Sequence, residues 1–254
     1  MTSLPHPLDR TVFIRATPDT VFGFFTDSAR WAKWWGAGST IDARPGGVMT
    51  IRYPNGVEAS GEVIEVVPPM RVVFTMGYAS GDPMPPGASR VSIRLTPHAE
   101  GTRLDLHHEF ADAAVRDHHV QGWRYQLSVF SNVVTNEANA GVGDAIDRWF
   151  AAWAEPDAAA RERTLAAIAV PSVTFRDRFS LVDGLDDLAP HIAAAQRFMP
   201  GLVLRRAGDV RHCQGVALAD WIAAGPDGQE RGRGTNVFVL APDGKFEAVT
   251  GLWN

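Results

Sequence analysis

The 254-residue sequence predicts an α+β protein made of two domains in tandem. Three observations point there. The length exceeds that of a common single domain, at roughly 150 residues each. Both halves combine strand-length apolar runs with stretches of helical periodicity. Between them lies Asn136-Glu137-Ala138-Asn139-Ala140-Gly141-Val142-Gly143, whose glycines and asparagines are poor helix formers. The expected domains are 1–138 and 142–254.

In the first half, Thr11-Val12-Phe13-Ile14 reads as a strand. Thr17-Pro18-Asp19 reads as a helix start, with a capping hydroxyl, a proline at the first helical position and an acid facing the dipole. Strands follow near 48–53, 57–67, 70–78, 89–97 and 102–110, punctuated by Gly46-Gly47, Asn55-Gly56, Pro68-Pro69 and Glu100-Gly101. Trp123, Leu127, Phe130 and Val134 fall at i, i+4, i+7 and i+11, one face of a closing helix. In the second half, Ile146, Trp149, Phe150 and Trp153 mark an amphipathic helix. A second helix covers about 157–169 and ends before Pro171. Val173-Thr174-Phe175 is a short strand, and a third helix runs from about Asp186 to Phe198. Four strands close the chain near 202–213, 216–224, 230–240 and 245–253. Helices first and an antiparallel meander last is an α+β order.

Composition excludes several classes. The 24 basic and 29 acidic residues leave a net charge of −5, whereas nucleic-acid binding needs a concentrated basic surface. No apolar run reaches the length of a membrane span, and the N-terminus lacks the basic and apolar segments of a secretory signal. The single cysteine, Cys213, excludes an intramolecular disulfide. A cytoplasmic protein is expected. Only Lys33 and Lys245 are lysines; with the many alanines this fits a GC-rich bacterial coding bias. No cofactor motif is found: Gly232-Arg233-Gly234 precedes no helix, and no Gly-x-Ser-x-Gly elbow occurs. His107-His108 and His118-His119 do not read as a metal site. Neighbours on a strand face opposite ways, and no ligand of metal spacing accompanies them.

The first half resembles the START-like helix-grip superfamily, in the branch named after the activator of the heat-shock ATPase. The resemblance rests on Ile14-Arg15-Ala16-Thr17-Pro18 with Val21-Phe22, Trp31-Ala32-Lys33-Trp34-Trp35, Gly61 through Pro69, Gly101-Thr102-Arg103-Leu104, His108 before Phe110, and Gly122-Trp123. It implies a curved sheet gripping the last helix around a cavity. The second half resembles the nuclear transport factor 2 superfamily, which includes SnoaL-like polyketide cyclases and ketosteroid isomerases. Its carriers are Arg148 through Trp153, Val173-Thr174-Phe175-Arg176-Asp177, Gly184 with Leu188 and Ile192, and the four closing strands. The implied fold is a cone-shaped α+β barrel open at one end.

The second resemblance places Asp177 at the position of a general base that moves a proton beside a carbonyl. Burial in an apolar cone tunes such a base. Trp149 stands where the family has a tyrosine donor, and Asn236 roughly where it has a protonated acid; both still donate hydrogen bonds. The structural alternative pairs Asp177 with Arg176, Arg178 or another arginine. His212 and Trp221 lie on neighbouring strands, and His212 is the candidate proton carrier beside Asp177; a strand or surface histidine is the alternative. Trp153, Phe175 and Trp221 complete the expected lining. In the first half, Trp31, Trp34 and Trp35 either line a ligand pocket or plug the core. Trp35, His108, Trp123 and Tyr125 are its candidate ligand contacts.

Together these readings predict a binder of small, largely apolar organic molecules that uses no cofactor. Cyclase- or isomerase-like proton transfer is expected in the second domain. The alternative is a non-catalytic ligand-binding or interaction module whose second domain pairs two copies into a homodimer.

Overall fold

Short polar side chains start the helices and apolar alternation builds the sheets of this computed structural model, which describes residues 3–254. Met1 and Thr2, part of the N-terminal segment read above, lie outside the described residues. The first ten elements are β1 (His6–Ile14), α1 (Pro18–Gly23), α2 (Ser28–Trp35), β2 (Thr40–Ile41), β3 (Val48–Arg52), β4 (Glu58–Val67), β5 (Arg71–Tyr78), β6 (Ser89–His98), β7 (Gly101–Phe110) and α3 (Ala113–Ala138). Then come α4 (Val142–Ala152), α5 (Ala158–Ile168), β8 (Ala169–Asp177), β9 (Ser180–Asp183), α6 (Leu185–Phe198), β10 (Val203–Cys213), β11 (Val216–Ala224), β12 (Glu230–Leu240) and β13 (Phe246–Trp253). The chain divides into two compact units, Met1–Thr135 and Asn136–Asn254. Among the described residues no helix is long and apolar enough to cross a membrane.

The first unit is a seven-stranded antiparallel sheet in the order β1-β7-β6-β5-β4-β3-β2. Thr17 caps α1 by accepting from the Thr20 amide, and Pro18 fills its first turn. Asp27 caps α2 by accepting from the Arg30 amide at 2.9 Å. Along α3, Trp123, Leu127, Phe130 and Val134 are buried together with Phe74, Leu104 and Phe110 of the sheet. Each such aromatic or aliphatic side chain contributes on the order of 1.5–3 kcal/mol by leaving water.

The sequence places the break across 136–143. The division instead falls between Thr135 and Asn136, inside α3, and helix persists to Ala138. Asparagine costs a helix only some tenths of a kcal/mol. The interruption is confined to Asn139-Ala140-Gly141, with Gly141 as the cap of α4.

The second unit is a six-stranded sheet in the order β10-β11-β12-β13-β8-β9, antiparallel except where β13 pairs with β8. Ile146, Trp149 and Phe150 of α4 are buried with Leu188 and Ile192 of α6 and with Phe238 and Phe246 of the sheet. β8 is longer than Val173-Thr174-Phe175. It continues to Asp177, where a tight hairpin sets Asp177 opposite Ser180 of β9.

Gly36 ends α2 with φ 145°, and a Cβ there would stand 2.2 Å from the Arg52 carbonyl oxygen. Gly46 has φ 80° with open space around it. Gly36→Ala should therefore cost about 2–3 kcal/mol, as it combines strain with displacement of backbone. Gly46→Ala should cost about 1 kcal/mol, from conformation alone. Urea unfolding of both variants measures the difference; equal losses would show that the Arg52 carbonyl yields freely.

Candidate functional site

The second unit encloses a cavity of about 530 Å³ between α4, α6 and the sheet. Its walls follow from periodicity. Trp149, Phe150 and Trp153 come from one face of α4. His191, Ala194, Ala195 and Phe198 come from α6 at i, i+3, i+4 and i+7. On β8, Val173 and Phe175 point inward by period two, so Asp177 continues their row to the strand's end. Trp221, Asn236, Gly251 and Trp253 supply the sheet side. Trp149 stacks edge-on with Phe238 and Phe246, and its ring centre lies 5.8 Å from that of Phe175. Trp149 is fully buried.

The structure thus brings Asp177, Trp149, Trp153, Phe175, Trp221 and Asn236 around one cavity. Asp177 is half-buried. One carboxylate oxygen accepts from the Phe179 amide at 2.8 Å and the other from Trp253 Nε1 at 3.1 Å. Its partners are N–H groups rather than arginines, and the Arg178 guanidinium lies over the rings of Phe179 and Trp253 instead. Gly251 leaves room for this arrangement: a Cβ there would stand 3.2 Å from both Asn236 Oδ1 and Asp177 Cβ.

Asn236 is buried and accepts from Trp221 Nε1 at 2.9 Å. An indole N–H only donates, so the amide oxygen is the atom that meets it and the NH₂ is left as the donating end.

His212 is placed differently from the expectation. It is not part of the cavity lining: its Nδ1 lies 2.6 Å from Asn136 Oδ1, and its Nε2 is buried without a partner among the described residues. Burial lowers its pKa below the usual histidine range. Its strand position, opposite Ala217, puts it on the same sheet face as Trp221 but farther along β10, past the bulge between Ala207 and Arg211 and outside the cavity. The histidine that does line the cavity is His191, which the sequence reading passed over. It stands between Trp153 and Phe175, and its Nε2 shares a 2.9 Å hydrogen bond with Ser180 Oγ. The signal for it was the α6 spacing of His191 with Ala194, Ala195 and Phe198.

The first unit has its own cavity, of about 610 Å³, lined by Trp34, Trp35, Tyr53, Tyr78, His119, Trp123 and Tyr125 among others. Of its expected contacts, Trp35, Trp123 and Tyr125 are there. Trp31 belongs to the core alone, while Trp34 and Trp35 are both core and wall. His108 is a correction, since it is not in the lining and is fully buried on β7. Its Nδ1 accepts from Trp123 Nε1 at 2.9 Å, so its proton sits on Nε2 and is donated to Ser89 Oγ at 2.8 Å. Ser89 in turn donates to the Met76 carbonyl.

Burial first, then the neighbouring histidines, hold the pKa of His108 well below its ordinary value. The unfolded chain takes up this proton near pH 6.5 and the folded chain does not. Stability is therefore full above about pH 6.5 and falls as the pH drops toward the folded value, by at most about 1.4 kcal/mol per pH unit for this group. Urea unfolding at pH 7.5 and 5.5 should show the loss, and His108→Asn should flatten it. A slope unchanged in that variant would assign it to other groups.

The model of one family, the Activator of Hsp90 ATPase homolog 1-like proteins, matches residues 15–135, just under half of the chain. No curated protein matches. Among solved structures, the chain is similar to a putative isomerase of the SnoaL-like family from Agrobacterium tumefaciens. Identity is 23%, over 46% of this chain and 98% of that one, with a TM-score of 0.43. CalU16 from Micromonospora echinospora is 26% identical over 49% of this chain and 74% of its own, with a TM-score of 0.40. The Aha1 dimer from Colwellia psychrerythraea is 18% identical over 48% and 90%, with a TM-score of 0.42.

Proposed function

We propose that the protein binds small, largely apolar organic molecules in each unit and moves a proton on the one held in the second. The observation that carries this is the convergence of a carboxylate, Asp177, and an imidazole, His191, on a cavity walled by Trp149, Trp153, Phe175 and Trp221. Flat aromatic walls favour a planar, apolar ligand. Asp177 is the proton acceptor in this reading, with the indole of Trp253 holding its carboxylate and the Asn236 amide as donor toward a carbonyl oxygen. The reaction class is proton abstraction beside a carbonyl or a comparable acidified carbon, with the same proton returned elsewhere on the molecule, as in isomerisation or ring closure. No cofactor enters it. A cytoplasmic, bacterial protein remains our reading of the composition.

One observation favours the non-catalytic alternative: both oxygens of Asp177 already accept an N–H. A pairing role for this unit would draw on Leu181 and Leu252, exposed apolar residues of its sheet.

A substrate-independent probe tests for a base in an apolar cavity. With 5-nitrobenzisoxazole, a base takes the ring C–H proton while the N–O bond breaks, and the released cyanonitrophenolate is read by its colour. The protein should accelerate this above buffer, and Asp177→Asn should lower the rate by about 10²-fold or more, with its thermal melt retained. A rate that survives Asp177→Asn but is lost in His191→Gln would transfer the role of base to the histidine. A rate unaffected by both would leave the binding module.

A further inference from the structure

The second cavity holds a pair of side chains that proton abstraction by Asp177 does not use. After the hairpin that follows β8, Ser180 opens β9 as the register partner of Asp177. It shares the inward face of β9 with buried Val182, whereas Leu181 and Asp183 are exposed. Helix α6 brings His191 to it, and Ser180 Oγ lies 2.9 Å from His191 Nε2. Among the described residues this is the one side-chain hydrogen bond of either residue. Asp177 takes no part in it, since its oxygens accept from the Phe179 amide and Trp253 Nε1. Ring contacts hold the imidazole instead, its centre 6.0 Å from that of Trp153 and 6.3 Å from that of Phe175. With its proton on Nδ1, the imidazole has the Nε2 lone pair to accept the serine hydroxyl proton. A hydroxyl within hydrogen-bond reach of an imidazole, both on the wall of an apolar cavity, is the arrangement of an activated nucleophile. Asn236 belongs to the same lining; its oxygen is taken by Trp221, and its NH₂ is a donor for a developing oxyanion.

We infer that Ser180 is the nucleophile of a second activity, acyl transfer from small aromatic esters to water, with His191 as its general base. Ser180 Oγ bonds to the ester carbonyl carbon while its proton passes to His191 Nε2. The bond from that carbon to the aryl oxygen then breaks, and the proton on His191 leaves with the aryloxide as a phenol. Water attacks the acyl-serine next. His191 takes one of its protons and returns it to Ser180 Oγ as the carboxylic acid departs. The sum is ester plus water giving acid plus phenol, and nothing else is consumed. Trp149, Trp153 and Phe175 supply flat walls for the aryl group. The cavity is that of the proposed proton transfer, but the reacting atom is different, so either activity can fail alone.

Stopped-flow release of 4-nitrophenolate from 4-nitrophenyl acetate by the full chain, with peptide mass mapping after acid quench, tests it. Cys213 is exposed and a thiol also takes acetyl groups, so the Cys213→Ser background is used throughout. A burst of about one nitrophenolate per chain, then slower turnover, is expected, with the acetyl group on Ser180. Ser180→Ala should remove the burst. His191→Gln should slow acylation by about 10²-fold or more, with its thermal melt retained. Should His191→Gln not fold, the mapped acetyl group and Ser180→Ala decide. Acetyl groups on lysines or histidines but not on Ser180 would overturn the inference, as would Ser180 acetylated equally fast in His191→Gln. Acetylated Ser180 in a chain that leaves 5-nitrobenzisoxazole unchanged would uphold it while the proton transfer falls.

Discussion

A buried indole without an acceptor is costly, and much of the polar organisation of both units follows from the acceptors that Trp31, Trp34, Trp123, Trp221 and Trp253 find. The chain has eight tryptophans. Tryptophan donates one hydrogen bond and accepts none, so whatever meets its N–H has its polarity decided. Trp31 and Trp34 donate to the backbone carbonyls of Thr50 and Phe24, which ties α2 to β3 and to the end of α1. Trp123 fixes the tautomer of His108, and through it a chain that ends at the Met76 carbonyl. Trp221 fixes the orientation of the Asn236 amide, and Trp253 holds one oxygen of Asp177. Each of these bonds has a modest net worth, about 1 kcal/mol, yet losing an acceptor would leave a buried donor unpaired at up to about 3 kcal/mol. Specificity rather than bulk stability is what the indoles set.

That constraint explains how the two cavities persist. Protein interiors pack densely, and a void lined by flexible aliphatic side chains tends to collapse when neighbours can shift. Aromatic rings have two side-chain torsions, large areas and preferred edge-on geometries. In the second unit Trp149 is wedged among Phe175, Phe238 and Phe246, and Trp153 between Phe175 and His191. In the first, Trp34 and Trp35 stack at 4.3 Å and Trp35 meets Trp123. Rings pinned by one another cannot swing inward to fill the space.

Much of this was legible in the sequence because it is periodic. The row Val173, Phe175, Asp177 follows from period two, and the α3 face from period 3.6. In the second cavity, Trp149 and Trp153 share a helix face by periodicity, whereas the place of Asn236 came from the resemblance of the second half to the nuclear transport factor 2 superfamily. What escaped was pairing across elements. His212 and Trp221 share a sheet face, but His212 pairs with Ala217 while Trp221 pairs with Arg206 on the other side of a bulge, and register is invisible before the turn geometry is known. His108 reads as a pocket residue until Trp123 and Ser89 are seen to consume both its nitrogens. His191 was hidden by Leu188 and Ile192, whose apolar spacing made α6 look like core alone. The β9 return was missed because Ser180–Asp183 is too short to show alternation.

The two cavities differ in which polar functions are already spent, and this difference separates their chemistry. In the second, both oxygens of the Asp177 carboxyl group accept from N–H donors, and Ser180 is shared with His191. A carboxyl group and an imidazole stand there beside an apolar wall, the setting on which the proposed proton transfer rests. In the first, burial holds His119 neutral and the Tyr53 and Tyr78 phenols protonated, while Lys33 and Asp82 belong to the same lining. Two cavities of similar volume and similar aromatic content thus differ in the polar groups they present, because indole donors and histidine tautomers settle which lone pairs are spent in each.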